Sequence, residues 1–162
     1  MTTKVWFDGR VMEQGEARVP VDDHGLLYGD GVFEGMRVIG GRVAAFERHL
    51  ARLSIGARVI ALQLPGGIDG IRSIVQQTLT ARGSSDGYVR LVVTRGSGPL
   101  GVDPTTCEVP RVICIATNLK LYSEEMLARG LSMITASVRR PPPDVLDPRV
   151  KSLNYLNNAM AK

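Results

Sequence analysis

The sequence predicts an α+β fold. Three observations carry this. Two glycine-turned hairpin signals stand near the N-terminus, two segments with helical apolar spacing follow, and two strands rich in β-branched residues come after them. Strands and helices come in clusters and not in strict alternation, which points to α+β and away from repeated βαβ units.

In chain order, Val5-Trp6-Phe7 and Arg10-Val11-Met12 flank Asp8-Gly9, the strongest short hairpin signal. Met36 to Ile39 and Arg42 to Phe46 flank Gly40-Gly41 in the same way. Glycines accept the positive φ that a tight hairpin turn requires. Phe46, Leu50, Leu53, Ala57 and Ile60 then recur at helical spacing, and Gly66-Gly67 is expected to stop that region. Ile68, Ile71, Val75 and Leu79 mark a second helix ending near Gly83. Tyr88–Thr94 and Arg111–Thr117 read as strands, and Leu119–Leu121 as a connector. Ser123, followed by Glu124 and Glu125, can cap a short helix. Leu131–Val138 reads as a further strand. Pro141-Pro142-Pro143 and Pro148 keep the next stretch extended and irregular. From Asn154 onward the chain turns helical.

A domain boundary is expected between 1–122 and 123–162. The last helix has no glycine cap and no partner for its apolar face, and the strand from Leu131 has no neighbours. The second domain therefore reads as begun and not finished; the alternative is a short C-terminal helix docked on the first domain.

Composition narrows the function classes. Hydrophobic residues make up 44% and charged residues 22%, the balance of a folded globular chain and not of a disordered one. No apolar run approaches the ~20 residues that span a bilayer. The N-terminus, Met1-Thr2-Thr3-Lys4-Val5-Trp6, carries no apolar signal core. Cys107 and Cys114 cannot form a disulfide framework or a zinc site, and with only His24 and His49 no metal centre is expected. These features suggest a cytoplasmic protein without a membrane partner. The net charge of +4 raises the question of nucleic acid, but the basic residues are scattered and aromatics are only 5%, a poor base-stacking platform. A few arginines suit a small anionic ligand better.

Three segments stand out chemically. Tyr28 to Arg37 holds three glycines in a short span, yet it lacks the P-loop lysine and the dinucleotide spacing, and such segments are usually turns. Val92 to Gly101 reads as a loop after a strand. Lys151 follows a proline-bounded stretch and precedes Asn154-Tyr155 at a helix start, where a tyrosine can reach the same small volume as the lysine. Composition and spacing alone leave an enzyme and a binding domain both open.

Three segments in order resemble the class IV (fold type IV) pyridoxal-phosphate aminotransferases: His24 to Arg37, Phe46 to Leu53, and Asp147 to Asn158. The likeness covers nearly the whole chain. Arg90 to Gly96 and Arg139 to Pro143 bring it nearest to the branched-chain amino acid aminotransferases. The resemblance implies the small N-terminal α/β-sandwich-like domain of that fold, followed by the start of the cofactor-binding domain. It implies pyridoxal 5′-phosphate as cofactor. Lys151 matches the lysine that bonds the cofactor and shuttles the proton, Arg52 the arginine that grips its phosphate, and Tyr155 a tyrosine beside its phenolic oxygen. Tyr28, Phe33, Gly35, Arg37, Arg90 and Tyr122 match positions around the substrate pocket. The implied reaction moves an amino group from an L-branched-chain amino acid to 2-oxoglutarate, in a homodimer or larger homo-oligomer.

Ile39 stands where branched-chain enzymes often carry an aromatic residue. Leu100 and Val102 stand where D-specific enzymes place an arginine and a histidine for the substrate carboxylate. A D-amino acid transaminase, an aminodeoxychorismate lyase and a catalytically silent fragment are the alternatives. The family's acidic partner for the pyridine nitrogen and its second phosphate loop fall beyond residue 162, so residues 1–162 alone are expected to be inactive.

Overall fold

A computed structural model describes residues 3–119 and 122–162. Met1 and Thr2 of the N-terminal reading, and Lys120 and Leu121 of the connector, lie outside the described residues.

The first hairpin forms as expected from strands β1 (Lys4–Phe7) and β2 (Arg10–Glu13), with Asp8 at φ 46° and Gly9 at φ 87° between them. A short helix α1 (His24–Leu27) then leads into β3 (Gly31–Ile39). Gly40 and Gly41 turn β3 into a two-residue strand β4 (Arg42–Val43). Helices α2 (Phe46–Val59) and α3 (Gly67–Arg82) follow, then β5 (Gly87–Thr94) and β6 (Arg111–Thr117). All pairings are antiparallel, in the order β2-β1-β6-β5-β3-β4.

The alternate residues of three strands build the main core. Val32, Met36 and Val38 of β3, Val89, Leu91 and Val93 of β5, and Val112, Cys114 and Ala116 of β6 are buried against Leu50, Leu53 and Ala57 of α2 and Ile71, Ile74 and Val75 of α3. Both helices thus cover one face of the sheet, as their apolar period requires. On the other face, Val5, Phe7 and Met12 form a second cluster with Ile113, Ile115 and Ala17.

Three readings need correction. The strand read over Arg42 to Phe46 is only β4, because the chain turns at Ala44-Ala45 and Phe46 already begins α2. Helix α2 ends at Val59, before Gly66-Gly67, and that glycine pair begins α3 with Gly66 at φ 67°. The earlier stop has a cause: Arg95 donates to the carbonyls of Ile60 (2.6 Å) and Ala61 (2.9 Å), satisfying groups a helix end leaves free. Leu131–Val138 is not a strand. Among the described residues no strand lies beside it to complete a ladder, and Met133 and Ile134 stay exposed. Ser123 does cap α4 (Glu124–Arg129), accepting from the Met126 amide at 3.2 Å, and α5 (Leu156–Met160) forms where the chain was read as turning helical.

One long-range contact positions the site. Because β4 spans two residues, most of the outer edge of β3 has no partner strand. Residues 151–153 take that place. The Phe33 amide donates to the Lys151 carbonyl (3.0 Å), the Leu153 amide to the Gly31 carbonyl (3.1 Å), and Val32 bridges Ser152. Val150 beside them enters the main core.

Candidate active site

The edge pairing sets Lys151 among aromatic rings. Its Nζ lies 4.2 Å from the Phe33 ring centre and 4.7 Å from that of Tyr155, and donates to the Tyr155 hydroxyl at 3.1 Å. The Phe33 and Tyr155 rings meet edge to face, 5.0 Å apart. Lys151 therefore has a phenol and two ring faces about it, and among the described residues no carboxylate bonds to it.

Arginines flank this corner on both sides. On the open face of the sheet, Phe33, Gly35 and Arg37 of β3 lie opposite Val92, Arg90 and Tyr88 of β5. The Arg90 guanidinium sits 4.8 Å over Phe33 and 5.6 Å over Tyr88. On the helix side, Arg52 of α2 forms a bidentate pair with Glu34 of β3: Nε to Oε1 and Nη2 to Oε2, both 2.6 Å. The hydrogen bond that Arg52 donates to Glu34 raises the Arg52 pKa above its ordinary value, against a smaller cost of desolvation, with lesser contributions from the charges of Glu34 and Tyr155.

Phe33, Gly35, Arg90, Lys151 and Tyr155 come together, with Arg52 held on Glu34, the residue next to Phe33, and Arg37 exposed further along the same face as Gly35. Tyr28 does not join them. Its hydroxyl accepts from the Gly101 amide at 2.8 Å and its ring packs on His24, so it ties one loop to another. Tyr122 is exposed, and among the described residues no hydrogen bond or ring contact joins it to the lysine.

Sequence reading missed Tyr88, Glu34, His49 and Asn154. Tyr88 bends over the open face so closely that a Cβ at Gly35 would lie 2.1 Å from its hydroxyl. Asn154 donates to the Gly29 carbonyl at 3.1 Å, locking the lysine-bearing segment to the glycine-dense one. Only the pairing of β3 with β5 and with 151–153 brings these into view. Glu34 did carry a signal, since it sits in the inward phase of β3 between Val32 and Met36.

The stretch leading into the glycine-dense segment is tied to the sheet by two acids. Asp23, fully buried, accepts from the Gly25 amide (2.8 Å), the Thr94 hydroxyl (3.0 Å) and Arg111 (2.8 Å). Asp30 takes both ends of a fork from Arg95, at 2.9 and 3.0 Å. These pairs seat residues 22–30 on the end of the sheet. Among the described residues no group of His, Cys, Asp and Glu is placed to hold a metal, and no helix is long and apolar enough to cross a membrane.

The chain is similar to known proteins. Residues 31–162 match the family described as amino-transferase class IV. A Methanocaldococcus jannaschii protein named "Putative branched-chain-amino-acid aminotransferase" is 45% identical over 98% of this chain and 54% of its own length. A Bacillus licheniformis D-alanine aminotransferase is 33% identical over 98% and 54%. Among solved structures, a T.th. branched-chain amino acid aminotransferase with pyridoxamine 5′-phosphate superposes with a TM-score of 0.90 at 28% identity, over 100% of this chain and 55% of that one. The 4-amino-4-deoxychorismate lyase from Pseudomonas aeruginosa gives 0.83 at 34% identity, over 97% and 55%. The chain spans about half the length of the curated relatives it matches.

Proposed function

The chain belongs to the class IV aminotransferases, and from that premise we propose that it serves pyridoxal-phosphate-dependent transamination between L-branched-chain amino acids and 2-oxoglutarate. The observation that carries this is the Lys151 amine, held by the Tyr155 hydroxyl at 3.1 Å with Arg52 and Arg90 on either side.

These residues fit the cofactor. Arg52 is half exposed, and with Nε and Nη2 turned to Glu34 its Nη1 end remains available for phosphate oxygens, which match a guanidinium fork. Lys151 has the primary amine that bonds a carbonyl. When bound, pyridoxal 5′-phosphate supplies the electron sink for the substrate α-carbon.

The chain's own residues do the rest. Lys151 takes the α-proton and returns it, and Tyr155 holds the amine and the cofactor's phenolic oxygen in one place. Arg90, with Arg37 further out, receives a substrate carboxylate. Phe33, Tyr88 and the bare backbone of Gly35 make an apolar wall suited to an aliphatic side chain. Leu100 and Val102, both exposed on the loop after β5, supply no charge for the carboxylate of a D-amino acid. Residues 1–122 are proposed as the small domain and 123–162 as part of the cofactor-binding domain, in a homo-oligomer.

The 34% identity to a lyase structure favours one second reading, aminodeoxychorismate lyase. Turnover of L-leucine, L-valine, D-alanine and aminodeoxychorismate by the complete protein, measured side by side, decides between them. Faster turnover of D-alanine or aminodeoxychorismate than of L-leucine overturns the branched-chain reading.

A further inference from the structure

Glu34 is a carboxylate in the wrong phase for a charge. Its neighbours in that phase, Val32, Met36 and Val38, all pack in the main core, and Glu34 itself is only 1% exposed. Burying a carboxylate is costly unless every lone pair finds a donor. Oε1 accepts from Arg52 Nε at 2.6 Å; Oε2 accepts from Arg52 Nη2 at 2.6 Å and from His49 Nδ1 at 2.8 Å. A carboxylate only accepts, so Nδ1 of His49 carries its hydrogen toward Glu34. The 3.4 Å approach of Arg52 Nη2 to that same nitrogen then sets two donors side by side on one acceptor.

His49 and Arg52 stand three residues apart on α2, on the side of the helix that faces β3. The next residue back on the strand, Phe33, donates its amide to the Lys151 carbonyl. One short piece of β3 therefore fixes both the lysine-bearing segment and the Arg52 guanidinium.

We propose that Glu34, braced by His49, is the positioning residue that aims Arg52 at the cofactor phosphate. This rests on the assignment of Arg52 to the phosphate. Glu34 itself has both oxygens filled and points away from Phe33, into the helix side of the sheet, so it touches neither substrate nor cofactor. Its negative charge opposes anion binding; its geometry favours it. Fixing the Nε–Nη2 side leaves Nη1 directed outward in a single orientation, and a pre-aimed fork loses less freedom when phosphate arrives.

The opposing charge makes the idea testable. Glu34→Gln keeps the size but removes the charge, and its NH2 must face a donor on Arg52 or on His49. Glu34→Asp keeps the charge but withdraws it by one methylene. If position matters, both variants weaken the grip. If charge alone matters, Glu34→Gln binds phosphate more tightly and Glu34→Asp is neutral.

The experiment titrates the complete protein with pyridoxal 5′-phosphate and with pyridoxal, which lacks the phosphate, following absorbance. Both Glu34 variants are expected to raise the Kd for pyridoxal 5′-phosphate about tenfold and leave that for pyridoxal unchanged. In an Arg52→Ala background, Glu34→Gln is expected to add nothing further. Unchanged or tighter binding of pyridoxal 5′-phosphate by Glu34→Gln overturns the proposal, as does equal weakening of both ligands. If Arg52→Ala leaves the preference for the phosphorylated ligand intact, the phosphate assignment fails and this proposal with it. If Arg52→Ala abolishes that preference while Glu34→Asp and Glu34→Gln retain it, the proposal alone fails. Should Glu34→Gln not fold, Glu34→Asp, which keeps the buried charge but not its reach, decides the question by the same two titrations.

Discussion

Replacing Gly35 with alanine should damage the substrate site and spare the cofactor site. Gly35 does not have the positive φ that would demand glycine, so the backbone accepts alanine. Space does not. The new Cβ would lie 2.1 Å from the Tyr88 hydroxyl and 3.0 Å from Cζ, where ordinary contact begins near 3.4 Å. The phenol must retreat by more than an ångström. The Arg90 guanidinium, 5.6 Å over its ring and 4.8 Å over that of Phe33, is expected to shift with it. Overpacking of this kind costs ~1–3 kcal/mol. A misplacement of about 1 Å in a positioning group can cost ~100-fold in rate. We expect kcat/KM for L-leucine in the complete protein to fall roughly 10- to 100-fold. The Kd for pyridoxal 5′-phosphate should hold, since the three heavy atoms nearest the new Cβ all belong to Tyr88 and none to Arg52 or Lys151. Removing the clashing oxygen in Gly35→Ala/Tyr88→Phe should recover part of the loss, a coupling that a double-mutant cycle reads directly. A Gly35→Ala enzyme as active as the parent, or a double variant no better than the single one, would refute the reasoning.

Borohydride reduction of the cofactor-loaded complete protein, followed by peptide mapping, should place the pyridoxyl group on Lys151; a label on Lys120 or Lys162 would sink that role. Asp23→Ala strips a fully buried acceptor from Arg111, Thr94 and the Gly25 amide, so urea unfolding should show a loss of ~3–5 kcal/mol, and a loss under ~1 kcal/mol would contradict the role given to this network. Burial pushes the Cys114 thiol up to about 12 from 9.0, with the Thr78 hydrogen bond opposing. The folded form thus holds its proton more tightly than the unfolded one. That stabilisation is complete below pH 9.0 and fades as pH rises toward about 12. The stability of Cys114→Ala should therefore fall less steeply than the parent's across that window, and iodoacetamide should label partly exposed Cys107 before Cys114; parallel pH curves would refute this.

What the sequence made legible follows the range of the forces involved. The hairpin at Asp8-Gly9, the turn at Gly40-Gly41 and the apolar faces of the helices around Leu50 and Val75 are set by turn chemistry and period within a few residues, and they form where the local pattern puts them, though the end of α2 and the length of β4 do not. Leu131–Val138 has strand composition too, but a strand exists only through a neighbour, and local pattern cannot supply one. Lys151 meets the same limit from the other side. Nothing near it in sequence says that it will pair with the edge of β3, so its role was legible only through the likeness of whole segments to a family. Tyr88 was missed because its importance lies in Gly35, on another strand. Glu34 is different. It sat inside a likeness segment and was passed over, though its phase alone sets a physical demand: a charge between Val32 and Met36 must be met by an opposite charge on whatever covers that face. The covering helix is α2, its buried face runs through Leu50 and Leu53, and the polar residues nearest that face are His49 and Arg52. The ion pair could have been drawn from strand phase and helix period together, before any contact was known.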